Sequence, residues 1–187
     1  MTPLASQLQQ WSQQLEDFRL PRWDELPDLD LYMDQVIKLI EQYLTPVIQT
    51  DKHALLTPAM VNNYVKHDLI PPPKKKRYTK KHVAFLIAIT LLKQVLTIPE
   101  IKQGILAQSQ AIGIREAYNV FCQLQEEAIH EISSIALGNT QPRLGATEKL
   151  ELLAAKAATT ALANKLLAEQ TITLQTEYGI QKGAENE

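Results

Sequence analysis

Apolar positions recur along this chain at alternating spacings of three and four, the pattern of helices with one buried face. Leu4, Leu8, Trp11, Leu15 and Phe18 form the first stripe, with glutamine over much of the other face, and it ends before Pro21. A polar, proline-bearing connector covers residues 24–30. Leu31, Val36, Ile37, Ile40 and Leu44 then mark a second helix over Leu31–Leu44, with Asp30 as its expected N-cap and Pro46 near its end. Residues 49–56 show no period and read as a loop.

Thr57-Pro58 predicts a sharp helix start, because the threonine hydroxyl can accept from an orphan amide and proline loses nothing at the first helical position. That helix is expected to run to about Asp68 and stop before Pro71-Pro72-Pro73. Thr79 is the expected cap of a long apolar helix, Val83 to Leu96, and Thr97-Ile98-Pro99-Glu100 has capping-box spacing for one reaching Leu106 or beyond. Ile114, Ala117, Tyr118, Phe121, Leu124, Ala128, Ile132 and Ile135 form a further stripe closing near Gly138. An Ala/Leu-rich helix is expected from about Thr147 to Glu169, where Ala154, Ala157, Ala158 and Ala161 permit close approach of a neighbour. The polar tail after Tyr178 is expected to fray. No strand longer than a short hairpin is predicted, so the expected class is all-α.

Composition narrows this picture. At 187 residues and 45% apolar content the chain can bury a real core as one or two domains. No apolar run approaches the ~20 residues needed to span a bilayer. The opening MTPLASQLQQWSQQLEDF lacks a basic region followed by an apolar block, so no secretory signal and a cytoplasmic location are expected. A single cysteine, Cys122, rules out a disulfide framework and a cysteine-rich zinc site, and is expected to be a small buried residue.

Charge is where the chain stops being ordinary. Residues 1–50 hold 3 basic and 8 acidic side chains, residues 51–103 hold 10 and 3, and residues 104–187 hold 6 and 10. A basic middle between acidic ends is a local patch with an electrostatic role. Its densest part, Lys74, Lys75, Lys76, Arg77, Lys80 and Lys81, places 6 cations in 8 residues. On the preceding helix Val61, Tyr64 and Val65 share an inward side, while Asn62, Asn63, Lys66 and His67 share the outward one. Asparagine can pair bidentately with adenine and lysine can reach guanine acceptors or phosphate, so that outward face suits a major groove.

Chemistry of other kinds finds no support. There is no phosphate-cradling glycine loop, no His-Glu-x-x-His pair and no nucleophile elbow. His53, His67, His82 and His130 lack metal-ligand spacing, and Glu126, Glu127 and Glu131 read as a solvated helix face. No catalytic residue, metal or cofactor is expected, and the chain is not read as an enzyme.

The segment from Thr57 to Lys81 resembles the MerR-type winged-helix family of bacterial transcription regulators. Thr57 falls at the N-cap, Val61 at the apolar anchor, Tyr64 at the tyrosine, and Leu69-Ile70-Pro71 at the helix exit. Lys76-Arg77-Tyr78-Thr79 is similar to that family's basic entry to the next helix, and Thr97-Ile98-Pro99-Glu100-Ile101 to the segment after it. The block over about 20–110 also looks like a bacterial domain-of-unknown-function family distantly similar to MerR. The departures are Ala59 and Asn62 where arginines are frequent, Asp68 in place of the exit glycine, and no compact helix directly before Thr57.

The resemblance implies a winged helix-turn-helix core over 23–110, between an N-terminal amphipathic helix over 1–22 and a helical extension over 111–187. It also implies sequence-specific binding of double-stranded DNA by a transcription regulator. Helix 58–68 would lie in the major groove, and the wing over 71–81 would rest on phosphates, with Tyr78 packed beneath it and its hydroxyl within reach of one. A homodimer is expected, formed through the stripe at 114–135 or the helix at 147–169, unless those helices form a bundle within one chain. The alternative reading is a helical protein-interaction adaptor whose winged module no longer binds DNA. An effector pocket lined by Tyr118 and Phe121 is a third, and the sequence names no effector.

Overall fold

A computed structural model of the chain describes residues 3–48, 55–137 and 152–184. Among the described residues there are seven α-helices: α1 Pro3–Glu16, α2 Met33–Leu44, α3 Pro58–Lys66, α4 Lys80–Leu92, α5 Ile98–Ile112, α6 Ile114–Ala136 and α7 Leu153–Ala184. A single 3-10 turn, Trp23–Glu25, lies between α1 and α2. Extended pairing among the described residues is limited to two isolated antiparallel bridges, Leu31 with Tyr78 and Lys74 with Arg77. The class is all-α, as the stripes require.

α4 is the axis of the molecule. Its sequence KKHVAFLIAITLL is apolar on every side after the first turn, and a helix of that kind must be surrounded. Val83, Ala84, Leu86, Ile87, Ile89 and Leu91 are buried, and α2, α6 and α7 pack around them. The helix starts directly after Thr79, earlier than the expected Val83, and ends at Leu92 rather than Leu96. The start shifts because the capping box of Thr79 and His82 opens the helix directly after Thr79.

The first and last helices come together. α1 packs against α6 and α7, and α6 packs on α7. Ser12 of α1 and Ser133 of α6, both buried, donate to one another's backbone carbonyls at 2.9 and 3.1 Å. Tyr118, Phe121, Ala128 and Ile132 of the α6 stripe and Ala158, Leu162 and Ala163 of α7 are buried inside the one chain. Part of each face considered for a dimer is therefore covered within a protomer, while Ala154, Ala157 and Ala161 of α7 and Ile135 of α6 stay exposed. Tyr118 and Phe121 are both buried; the Tyr118 hydroxyl donates to the Pro21 carbonyl at 2.9 Å, and burial holds its pKa far above the usual range. Burial likewise pushes the Cys122 thiol up to about 11, which keeps it protonated and inert. α7 continues through Tyr178 to Ala184, beyond the expected end at Glu169, while Thr147 and His53 lie outside the described residues.

α2 begins at Met33, not Leu31, and Asp30 is not its cap. The Tyr32 amide donates to the Gln35 side chain at 2.9 Å instead. Leu31 is drawn out of the helix because its backbone exchanges two hydrogen bonds with Tyr78, at 2.9 and 2.8 Å.

Candidate nucleic-acid interface

α3 starts where Thr57 sets it, with the threonine hydroxyl accepting from the Met60 amide at 3.2 Å and Pro58 opening the first turn. Val61 and Tyr64 are buried, and Asn62, Asn63, Lys66 and His67 are exposed, as the spacing requires. The helix is fixed from both ends. Lys93, which follows α4, donates to the Leu55 carbonyl at 2.7 Å just ahead of it, and burial lowers the pKa of that ammonium. Lys102 of α5 donates to the His67 carbonyl at 2.9 Å, placing a cation at the negative end of the helix dipole.

The exit from α3 is a Schellman turn. Leu69 donates to the Tyr64 carbonyl at 2.9 Å and Asp68 to that of Val65 at 3.1 Å, with Asp68 left-handed at φ 52°. Glycine fits this conformation without the Cβ clash, and aspartate is among the few other residues that enter it. Asp68→Gly is expected to stabilise the fold by about 0.5–1 kcal/mol, read from urea midpoints. A lowered midpoint would show that the Asp68 carboxylate does more than tolerate the turn.

Between Pro71 and Thr79 the chain forms a tight basic hairpin turn. The Arg77 amide donates to the Lys74 carbonyl at 2.9 Å, and Lys75 and Lys76 between them have φ of 49° and 61°. Two successive left-handed residues are what a type I′ turn demands, and Asn-Gly is the pair that adopts it most easily. Lysines here cost roughly 1 kcal/mol each in backbone strain. Their ammonium groups are presented at the tip, with Lys74, Lys75 and Lys76 all exposed.

The other basic residues divide the work. The Arg77 guanidinium stacks 3.7 Å over the Tyr32 ring and donates to the Asp30 carbonyl at 3.1 Å, tying the turn to the start of α2. Lys80 pairs with Asp28 at 3.2 Å, and Lys81 lies 5.5 Å over the Phe85 ring. Tyr78 is only 3% exposed, and burial raises its pKa. Its ring packs edge-on to His82 at 5.4 Å beneath the turn, so a phosphate contact by its hydroxyl would require it to leave the core. The expected site thus separates into an exposed set, Asn62, Asn63, Lys66, His67, Lys74, Lys75 and Lys76, and a supporting set, Arg77, Tyr78, Lys80 and Lys81.

His82 is the residue that sequence reasoning missed. Buried at 5% exposure, its Nδ1 accepts from the Thr79 amide at 2.9 Å and its Nε2 meets the Pro71 carbonyl at 3.1 Å. An amide can only donate and a carbonyl only accept, so the imidazole is neutral with its proton on Nε2. The ring joins the residue where the turn leaves to the residue where it returns. Threonine followed by a polar acceptor three residues later is the capping-box signature, here with histidine in the glutamate position.

Burial lowers the His82 pKa, opposed by the Pro71 carbonyl and assisted by the Lys81 charge. The unfolded chain therefore takes up this proton first as pH falls through the ordinary value of 6.5, and the folded chain only below it. Stability present above that pH is expected to fall as pH drops toward the folded value. Urea midpoints between pH 7.5 and 5.5 read this, and His82→Gln should flatten the slope. Glu25 and Glu100, both held below 4.5 by hydrogen bonds, titrate outside that window. An unchanged slope in His82→Gln would assign the pH response elsewhere.

A family model described as "Domain of unknown function (DUF1836)" matches residues 21–121. That span contains α2 to α5, the start of α6 and every candidate interface residue. No curated protein and no solved structure matches the chain.

Proposed function

The chain belongs to this DUF1836 family, and from its own residues we propose that it is a DNA-binding transcription regulator with a winged helix-turn-helix core of MerR type. α2 and α3 form the helix pair, and the turn over 71–79 is the wing. One observation carries the reading: strained lysines at the tip of a stapled turn follow, within a few residues of sequence, a helix whose open face is Asn62, Asn63, Lys66 and His67. The lysines supply salt-sensitive attraction to phosphates, and the asparagines supply base discrimination. One such module makes few contacts, so a homodimer reading two half-sites is proposed with it.

The missing arginines at Ala59 and Asn62 move the attraction onto the turn, so affinity should depend steeply on salt. Fluorescence anisotropy with genomic duplex fragments across a salt series tests this. Tight binding at low salt that selects particular fragments is the expected result. No binding at low salt overturns it and favours the protein-interaction adaptor, whose own support is the missing pair of arginines, the acidic ends of the sequence and the large helical extension.

A further inference from the structure

A groove of about 280 Å³ opens between the exit of α3 and the faces of α4 and α5. Its apolar lining is Leu69 and Ile70 after α3, Phe85 of α4, Ile105 and Leu106 of α5, and Ile114 opening α6. Two lysines belong to the same lining. Lys81 lies over the Phe85 ring, and Lys102 donates to the His67 carbonyl while keeping two further N–H donors. Asp68 is the carboxylate in the lining, which leaves the groove net positive.

We propose that this groove binds a small amphiphilic monocarboxylate, its apolar body on Phe85, Ile105 and Leu106 and its head on Lys81 and Lys102. The volume sits just under the roughly 300–1,000 Å³ range of small-molecule sites, which suits a short chain and excludes a nucleotide-sized cofactor. Lys81 and Lys102 set two cations against the one carboxylate of Asp68 in the lining, so an occupant with a single negative charge can make charge-assisted bonds that a neutral one cannot. The lining includes the turn Asp68–Pro71 that joins α3 to the basic hairpin, and Lys81 belongs to the basic stretch itself. An occupant would therefore bear on the connection between α3 and the basic hairpin. That consequence rests on the DNA-binding reading; the site does not.

An NMR amide-shift titration of the full chain with sodium octanoate, without DNA, tests the site. Saturable shifts confined to 68–71, 81–85 and 102–114 are expected. The double variant Lys81→Met/Lys102→Met should bind octanoate about tenfold more weakly, and 1-octanol should bind wild type more weakly by a similar factor. Leu106→Trp, at a lining position 50% exposed, should block the groove without entering the core. Shifts that scatter or never saturate, octanol matching octanoate, or Leu106→Trp binding as wild type would each overturn the proposal. With no DNA present, failure here leaves the DNA reading standing, and failure of DNA binding leaves this site standing.

Discussion

Replacing Lys74, Lys75 and Lys76 by alanine is expected to lower affinity for duplex DNA about hundredfold at 0.15 M salt. Each phosphate neutralised releases about 0.9 of a counterion, so losing three contacts flattens the slope of log K against log salt by about 2.7. The same three contacts are worth that slope multiplied by the logarithm of the dilution below 1 M, which is where the hundredfold arises. Alanine keeps the left-handed strain at positions 75 and 76 and removes only charge. A second variant separates charge from folding: Lys75→Asn with Lys76→Gly suits the type I′ turn better than the native pair, and should stabilise the turn while weakening binding. Both variants binding DNA as tightly as wild type, with an unchanged salt slope, would remove the turn from the interface.

The helices were legible because their cause is local. Alternating spacings of three and four placed α1, α3 and α6 within two residues of their observed ends, and Thr57-Pro58 set the start of α3 to the residue. The outward set Asn62, Asn63, Lys66 and His67 followed from the same periodicity, which fixes a direction as well as an element. Asp68 could be placed left-handed because it stands where a helix exit needs that conformation.

What stayed hidden depends on pairs distant in sequence. Leu31 looks like the first turn of α2, and only its bridge to Tyr78 keeps it extended. Arg77 counts as one cation among six in the sequence, yet its guanidinium is spent on Tyr32 and Asp30. His82 was judged by metal spacing and matters as a hydrogen-bonded staple. The left-handed lysines were hidden for another reason: type I′ turns signal themselves through asparagine and glycine, and this one uses neither. Glu126 reads as part of a solvated face in the sequence, because nothing near it in the chain shows the arginine 104 residues away that it holds.

That glutamate leads to the largest stability effect expected of one substitution. Arg22 and Glu126 form a two-pronged pair at 2.6 Å on both prongs, with side chains 30% and 13% exposed. The same carboxylate accepts the Leu20 amide at 2.8 Å, and Arg22 also donates to the Leu20 carbonyl at 3.2 Å. Glu126 thus pins the segment leaving α1 onto α6, and its hydrogen bonds hold the Arg22 pKa far above its usual range. Glu126→Ala leaves a half-buried guanidinium and a backbone amide without their acceptor. A fully buried pair broken this way costs ~3–5 kcal/mol, and the partial exposure of Arg22 brings the expectation to about 2–3 kcal/mol. Glu126→Gln keeps an acceptor for the Leu20 amide and should cost about half as much. Urea denaturation at pH 7 reads both. Pairing Arg22→Met with Glu126→Leu should recover most of the loss, since apolar groups of similar volume need no partner. A Glu126→Ala midpoint within error of wild type would show that α1 is held to α6 by the Ser12–Ser133 contact and apolar packing alone.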